Sequence, residues 1–361
     1  MNNLHPLVKT NLIFLLFFLI FGGMYFASAF LIPFIFAAIL AMLLTPLCRK
    51  MEGAGINKAL SAFLCVMLIV FIVLGVGAML SAQIASFTGN IPQFEQQITQ
   101  KINELQQYIQ NTFGISLQKQ ADAIKQDSSG LNISTYIFGF LGSFANIMTS
   151  SLLTLVYIFL LLYYRSRFPK FILMVVSDDK KEKAQHVIDD SSEVAQQYLT
   201  GRGIMMLILA VEYSIGLMIV GLQNALFIAV LAALLSIIPY VGNIIGGGLA
   251  LLMALVQGGD TSTIIGVLIV FTITQLFENY VLEPLVVGAE VDIHPFFTIV
   301  IIVIGGLIWG IAGMILAIPM LAILKIIFSN IESLHPYAYL IGDNRKRKKP
   351  EFVDKVKEWF S

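Results

Sequence analysis

Charge is what this sequence has least of. Only 12% of its 361 residues are Asp, Glu, Lys or Arg, about half the share of a soluble domain. From residue 203 to residue 324 there is no Lys or Arg, yet six carboxylates remain: Glu212, Asp260, Glu278, Glu283, Glu290 and Asp292. Cysteine is scarce as well. Cys48 and Cys65 are the only two, which excludes a disulfide framework and a cysteine metal site; both read as small apolar residues near helix ends. The four histidines (His5, His186, His294, His335) stand at no ligand spacing. H-E-x-x-H, G-x-S-x-G and Walker patterns are missing. These gaps speak against an enzyme, a bound metal, a cofactor and ATP-driven transport by this chain alone. A net charge of zero speaks against a nucleic-acid partner.

What is there is apolar. The chain is 58% hydrophobic, with a mean hydropathy of +0.85. Continuous apolar runs of about 18 or more residues recur, which predicts a polytopic helical membrane protein. Unbroken runs, in place of alternation, exclude a β-barrel. The N-terminal apolar run passes straight into a second, so no cleavable signal is expected.

The sequence divides by composition into five parts. Residues 1–85 hold three crossings: two short ones within 11–47, turning near residues 27–33, and a third over 60–82. Residues 86–145 are rich in Gln, Asn, Ser and Thr. There Ile91, Phe94, Ile98, Ile102, Leu105 and Ile109 recur at steps of three and four, the stripe of an amphipathic helix. Asp127 to Gly130 reads as a turn. This part is a small extramembrane helical domain whose stripe packs on the membrane domain or on a neighbouring subunit. Residues 146–202 contain a fourth crossing and a mixed-charge surface helix over 165–202. Residues 203–330 form an apolar core region, and 331–361 a basic tail.

Lys and Arg concentrate in loop 48–58, in segment 165–202 and after residue 327, while 86–145 has only Lys101, Lys119 and Lys125. By the positive-inside rule both termini are cytoplasmic and 86–145 is outside. Basic residues 345–349 and the terminal Trp359 and Phe360 fit a segment resting on anionic lipid, or simply a solvated tail.

The core region reads as two similar units, each a crossing followed by an apolar run of about 32 residues (225–256 and 296–327). A straight helix of that length reaches ~48 Å against a hydrocarbon core of ~30 Å. The first run is broken at Pro239-Tyr240-Val241-Gly242-Asn243 and the second at Gly305, Gly306 and Gly310. Gly242 with Gly246, and Gly306 with Gly310, also give the spacing of close helix packing. Re-entrant hairpins resolve the length problem, provided protein or a cavity surrounds their tips. The fold class is therefore all-α and polytopic: about six full crossings plus two broken or re-entrant hairpins, or about eight crossings. If both hairpins exist, the two units have inverted topology, with a site near the bilayer midplane.

The candidate site residues are polar groups at membrane depth. Gln275, Glu278, Asn279 and Glu283 fall within an arc of ~140° on one helix face. Glu212 falls midway along the fifth crossing. Intramembrane carboxylates are costly and usually face a polar cavity. With no basic residue near in sequence, they need a cation or a proton. For Glu278, Asn279 and above all Glu283, where Pro284 ends the helix, the other reading is an interfacial position. For Glu212 it is a protonated side chain bonded to a neighbouring helix. Asp260, Glu290, Asp292 and His294 read as loop residues, and His186 as a solvated histidine.

The motifs together resemble the autoinducer-2 exporter (AI-2E) family of bacterial membrane proteins. The residues that carry the resemblance are Ser236-Ile237-Ile238-Pro239-Tyr240-Val241-Gly242, Gln275, the run from Glu278 to Gly288 with its Glu283-Pro284, His294-Pro295, and the run from Gly310 to Pro319. Many relatives carry Pro where this chain has Asn243; an amide there either coordinates an ion or polar solute, or is a neutral replacement in a turn. The resemblance implies a multi-spanning exporter in the bacterial cytoplasmic membrane. It also implies a homo-oligomer, a pentamer above all, with autoinducer-2 export credited to some members and sodium/proton antiport to others. A secondary-type exporter of a small solute is the expectation. An antiporter whose substrates are ions is the first rival, and an oligomeric channel or scaffold without coupled transport the second.

Overall fold

Pro6 opens the first helix of a computed structural model that describes residues 6–88, 91–114, 116, 118, 151–239, 241–257, 261–287 and 292–343. Among these, every regular element is helical. Five helices are long and apolar enough to cross a membrane: Ser28–Gly53, Lys58–Met79, Asp178–Ile219, Thr261–Glu283 and Pro295–Asn330. The protein is an all-α polytopic membrane protein.

Packing divides the chain into two compact units. One comprises Met1–Leu68, Ser150–Arg202 and Pro284–Ser361; the other, Ile69–Thr149 and Gly203–Glu283. In the first unit, α1 (Pro6–Phe26) meets α2 (Ser28–Gly53) at Ala27. The sequence predicts a reversal here. The backbone bends instead: Ala27 N–H donates to Gly23 O at 2.9 Å and Ala27 O accepts from Leu31 N–H at 2.8 Å, so helical bonding passes through. Pro33, inside α2, is buried. α2 pairs with α5 (Ser151–Tyr163), with Phe30 and Phe34 both edge-on to Tyr157. Cys48 and Cys65 are fully buried free thiols with sulfurs 2.9 Å apart. They join α2 to α3 (Lys58–Thr88).

After α6 (Arg167–Val175) comes α7 (Lys181–Ile219). The later part of the predicted surface helix and the fifth crossing are thus one helix, while residues 167–175 form a helix of their own. Gly201 and Gly203 lie at this junction, but a glycine costs a helix only about 1 kcal/mol, too little to stop it. Arg202 is buried, its guanidinium 5.8 Å from the Tyr198 ring.

In the second unit, α4 (Ile91–Phe113) is the amphipathic helix that the stripe predicts, and it runs beside α9. The predicted turn at Asp127 to Gly130 lies outside the described residues. The apolar run 225–256 forms α8 (Ala225–Leu235) and α9 (Val241–Val256). At 11 and 16 residues, neither reaches the ~20 needed to span. They are antiparallel. A Cβ on Gly242 would strike the Ser236 backbone, and one on Gly246 would strike Ala232, so absent side chains let the two arms touch. α10 (Thr261–Phe277) follows and widens into a π-helical segment, Glu278–Val287.

The run 296–327 lies in α11 (Pro295–Asn330) of the first unit, which folds back at Gly310 (φ 59°, ψ −140°). Gly305 in the first arm lies against the Gly313 backbone in the second, and Gly306 against Met314. The chain therefore turns at Gly310, while Gly305 and Gly306 are packing positions within an arm. Trp309 donates its indole N–H to Met24 O at 2.9 Å and is buried with Ile39 and Leu316.

Both hairpins are fastened at their open ends. In the first, Gln257 Oε1 accepts from Gln223 N–H at 3.0 Å and its Nε2 donates to Gln223 O at 3.3 Å. In the second, Lys325 Nζ donates to Asp292 Oδ2 at 2.6 Å. His294 caps the first arm, accepting from Phe296 N–H at 3.2 Å, with Pro295 in the first turn. Its own N–H donates to Ile341 O, at the end of α12 (His335–Ile341), at 2.9 Å.

Candidate functional site

The second unit holds every sequence-predicted binding residue. α7 supplies Glu212, α9 supplies Asn243, and α10 with its π-helical extension supplies Gln275, Glu278, Asn279 and Glu283. Tyr213, which sequence reasoning passed over, ties the three elements together. Its ring stacks on Phe271 of α10 with centroids 4.7 Å apart. Its hydroxyl donates to Asn243 Oδ1 of α9 at 3.2 Å. A buried tyrosine must find a partner for its hydroxyl, and a tyrosine beside a mid-crossing glutamate was the available signal.

Glycine makes room for this stack. A Cβ on Gly247 would meet the Phe271 ring at 3.3 Å and one on Gly246 at 3.5 Å. Phe271 therefore lies over the bare flank of α9. α7 and α10 close on each other through a reciprocal pair, Gly216 facing Val270 and Gly266 facing Val220. Small residues at such crossings let helix backbones approach where no hydrophobic force drives them together.

Glu212 precedes Tyr213 on α7, and Glu278 directly follows α10, which Tyr213 reaches through the Phe271 ring. Glu212 Oε2 is buried and has no hydrogen-bond partner among the described residues. Glu278 is buried and accepts from Gln275 Nε2 at 3.3 Å, and the same nitrogen donates to Asn279 Oδ1 at 2.9 Å. Asn279 and Glu283 are exposed. The helix widens at Glu278 itself, so the residues beyond it advance differently around the axis from an α-helix. Such π turns are rare and collect at functional sites.

The tip residues separate in the same way. Pro239 is half-buried between α8 and α9, and Tyr240 lies outside the described residues. Gly242 and Gly246 are contact points between the arms of the first hairpin. Gly310 turns the second hairpin, and Pro319 is fully buried in its second arm. Among the residues predicted to lie in loops, Asp292 is paired with Lys325 and His294 is a helix cap, while Asp260 and Glu290 lie outside the described residues. Among the described residues, no three His, Cys, Asp or Glu side chains converge as a metal site.

Long apolar helices and two broken hairpins make this a multi-pass membrane protein, and carboxylates at membrane depth with no basic partner near in sequence are in keeping with the transporter class. The profile of the AI-2E family transporter matches residues 12–333, and the chain belongs to that family. YueF of Bacillus subtilis (strain 168), provisionally named a transport protein, is 28% identical over 321 residues, covering 86% of each chain. TqsA of Escherichia coli (strain K12), named an AI-2 transport protein, is 24% identical over 331 residues, covering 91% of this chain and 94% of its own.

Proposed function

We propose that the protein is a secondary exporter of a small solute in a bacterial cytoplasmic membrane, with Glu212 and Glu278 as a proton- or cation-responsive centre. The observation that carries this reading is the link from the centre to the hairpin tip: Tyr213 adjoins Glu212 and bonds Asn243. Segment 203–283 contains no Lys or Arg, so two neighbouring carboxylates in a low-dielectric setting need a proton or a metal cation to offset their charge. Occupancy of the pair changes the field at Tyr213, and Tyr213 holds the first turn of α9 next to the break at Pro239. Loading of the centre is thereby coupled to the position of the tip. The two hairpins serve as the moving elements of alternating access, and the basic C-terminal tail is cytoplasmic.

Reconstituted vesicles test this directly. Uptake of autoinducer-2 into everted proteoliposomes, driven by an imposed pH or sodium gradient, should fall at least tenfold in Glu278→Gln and in Glu212→Gln. Gradient-driven uptake that is intact in both variants would remove the carboxylates from the mechanism. The carboxylate pair also suits an ion as the transported species. That second reading, sodium/proton antiport, predicts collapse of a pH gradient on adding sodium with no organic solute present.

A further inference from the structure

α6 (Arg167–Val175) buries none of its nine residues. At 100° per residue, Phe168, Phe171, Ile172 and Val175 fall within an arc of about 100°. They are 49%, 66%, 42% and 71% exposed. Pro169 and Leu173, on the other side, are the half-buried ones. The helix therefore turns its apolar stripe outward, the reverse of a helix packed on a soluble core. At ~14 Å it is far too short to cross a membrane.

Position and charge identify what covers the stripe. α6 follows α5 after only the three residues Tyr164, Arg165 and Ser166, a reach of about 10 Å. α5 itself exposes Leu152, Leu153, Val156 and Leu160, the surface of a lipid-facing helix. α6 thus sits where that surface ends. Basic side chains gather there. The Arg167 guanidinium lies 4.8 Å from the Tyr164 ring, and Lys58 lies 5.7 Å from the Tyr163 ring. Lys58 Nζ also reaches Ser166 Oγ at 3.5 Å. Lys170, Arg49 and Lys50 are exposed. Two of the nearby carboxylates are paired with basic side chains, Glu52 with Arg165 and Asp178 with Lys181. Tyrosines at the end of a crossing, then a short helix with one apolar and one basic flank, make an interfacial anchor.

We infer that α6 lies in the cytoplasmic leaflet and binds anionic lipid headgroups through Arg167 and Lys170, with Phe168, Phe171, Ile172 and Val175 in the acyl boundary. Cys48 and Cys65 are fully buried, so a thiol-reactive nitroxide on full-length Phe171→Cys reports this site alone. In phosphatidylcholine vesicles containing phosphatidylglycerol, the label at 171 should collide with oxygen and be shielded from a nickel chelate. A label at Lys170→Cys should show the opposite preference. Adding Arg167→Gln and Lys170→Gln to the Phe171→Cys protein should shift the balance toward water about fivefold for each basic side chain, and removing phosphatidylglycerol should shift it the same way. A 171 label as open to the chelate as the 170 label overturns the inference. So does a 171 label shielded from both reagents, which would mean that another protein surface covers the stripe. Equal depth with and without phosphatidylglycerol overturns the role of anionic headgroups.

Discussion

Tyr213 is held by two elements besides its own, and its two contacts can be separated. Tyr213→Phe keeps the stack on Phe271 and removes the bond to Asn243, at a cost of about 1 kcal/mol. The variant should keep nearly the thermal midpoint of the parent in detergent, while gradient-driven flux falls about fivefold. Asn243→Ala should give a similar loss, and the double variant little more than either, because both singles break one bond. Additive losses would show that Asn243 acts on the solute separately from Tyr213. This pairing was not legible in the sequence. The two residues are 30 apart, and neither stands in a periodic pattern that points to the other. The carboxylates themselves were legible, because a carboxylate is so costly at membrane depth that one inside a long apolar run marks a polar setting.

At the scale of elements, the second hairpin depends on one backbone conformation. Gly310 has φ 59° and ψ −140°, and nothing lies within 4 Å of where its Cβ would be. Gly310→Ala thus tests strain alone. It should destabilise the protein by about 1–3 kcal/mol and lower the midpoint of thermal unfolding. Gly248→Ala is the control: its site in α9 is also open, but helical, so the change should be neutral or slightly stabilising. Equal midpoints for the two variants would mean that the turn is not set by Gly310. The sequence offered Gly305, Gly306 and Gly310 on equal terms, since all three permit a bend and only the folded backbone selects one. The first hairpin was easier to place, because Pro239 removes a donor and disfavours helix before it. The sequence also holds a spacing that relates the two hairpins. The residues that fasten them stand 34 apart in the first, Gln223 and Gln257, and 33 apart in the second, Asp292 and Lys325. That near-repeat links two runs whose sequences otherwise share little beyond glycine.

For the whole molecule, the hairpins decide how many times the chain crosses. By the positive-inside rule Lys and Arg assign segment 165–202 and the tail to the cytoplasm, but leave segment 203–324 silent, since it contains neither. Two single spans and two re-entrant hairpins return the tail to the same side, yet they place the joints differently. With hairpins, the start of α10 stays outside and the start of α11 stays in the cytoplasm; with single spans both are reversed. Ser262 and Phe296 are exposed at these two starts. Lys183 and Gln107 are exposed in the segments that charge assigns to the cytoplasm and to the outside. Single cysteines at the four positions can be read against buried Cys48 and Cys65 with an impermeant maleimide. In intact cells Gln107→Cys and Ser262→Cys should label, while Lys183→Cys and Phe296→Cys should label only in everted vesicles. Ser262→Cys labelling with Lys183→Cys, and Phe296→Cys with Gln107→Cys, would mean single spans. Helices of 11 and 16 residues, antiparallel and fastened at one end, argue for the first pattern, because neither arm of the first hairpin alone covers the ~30 Å of hydrocarbon.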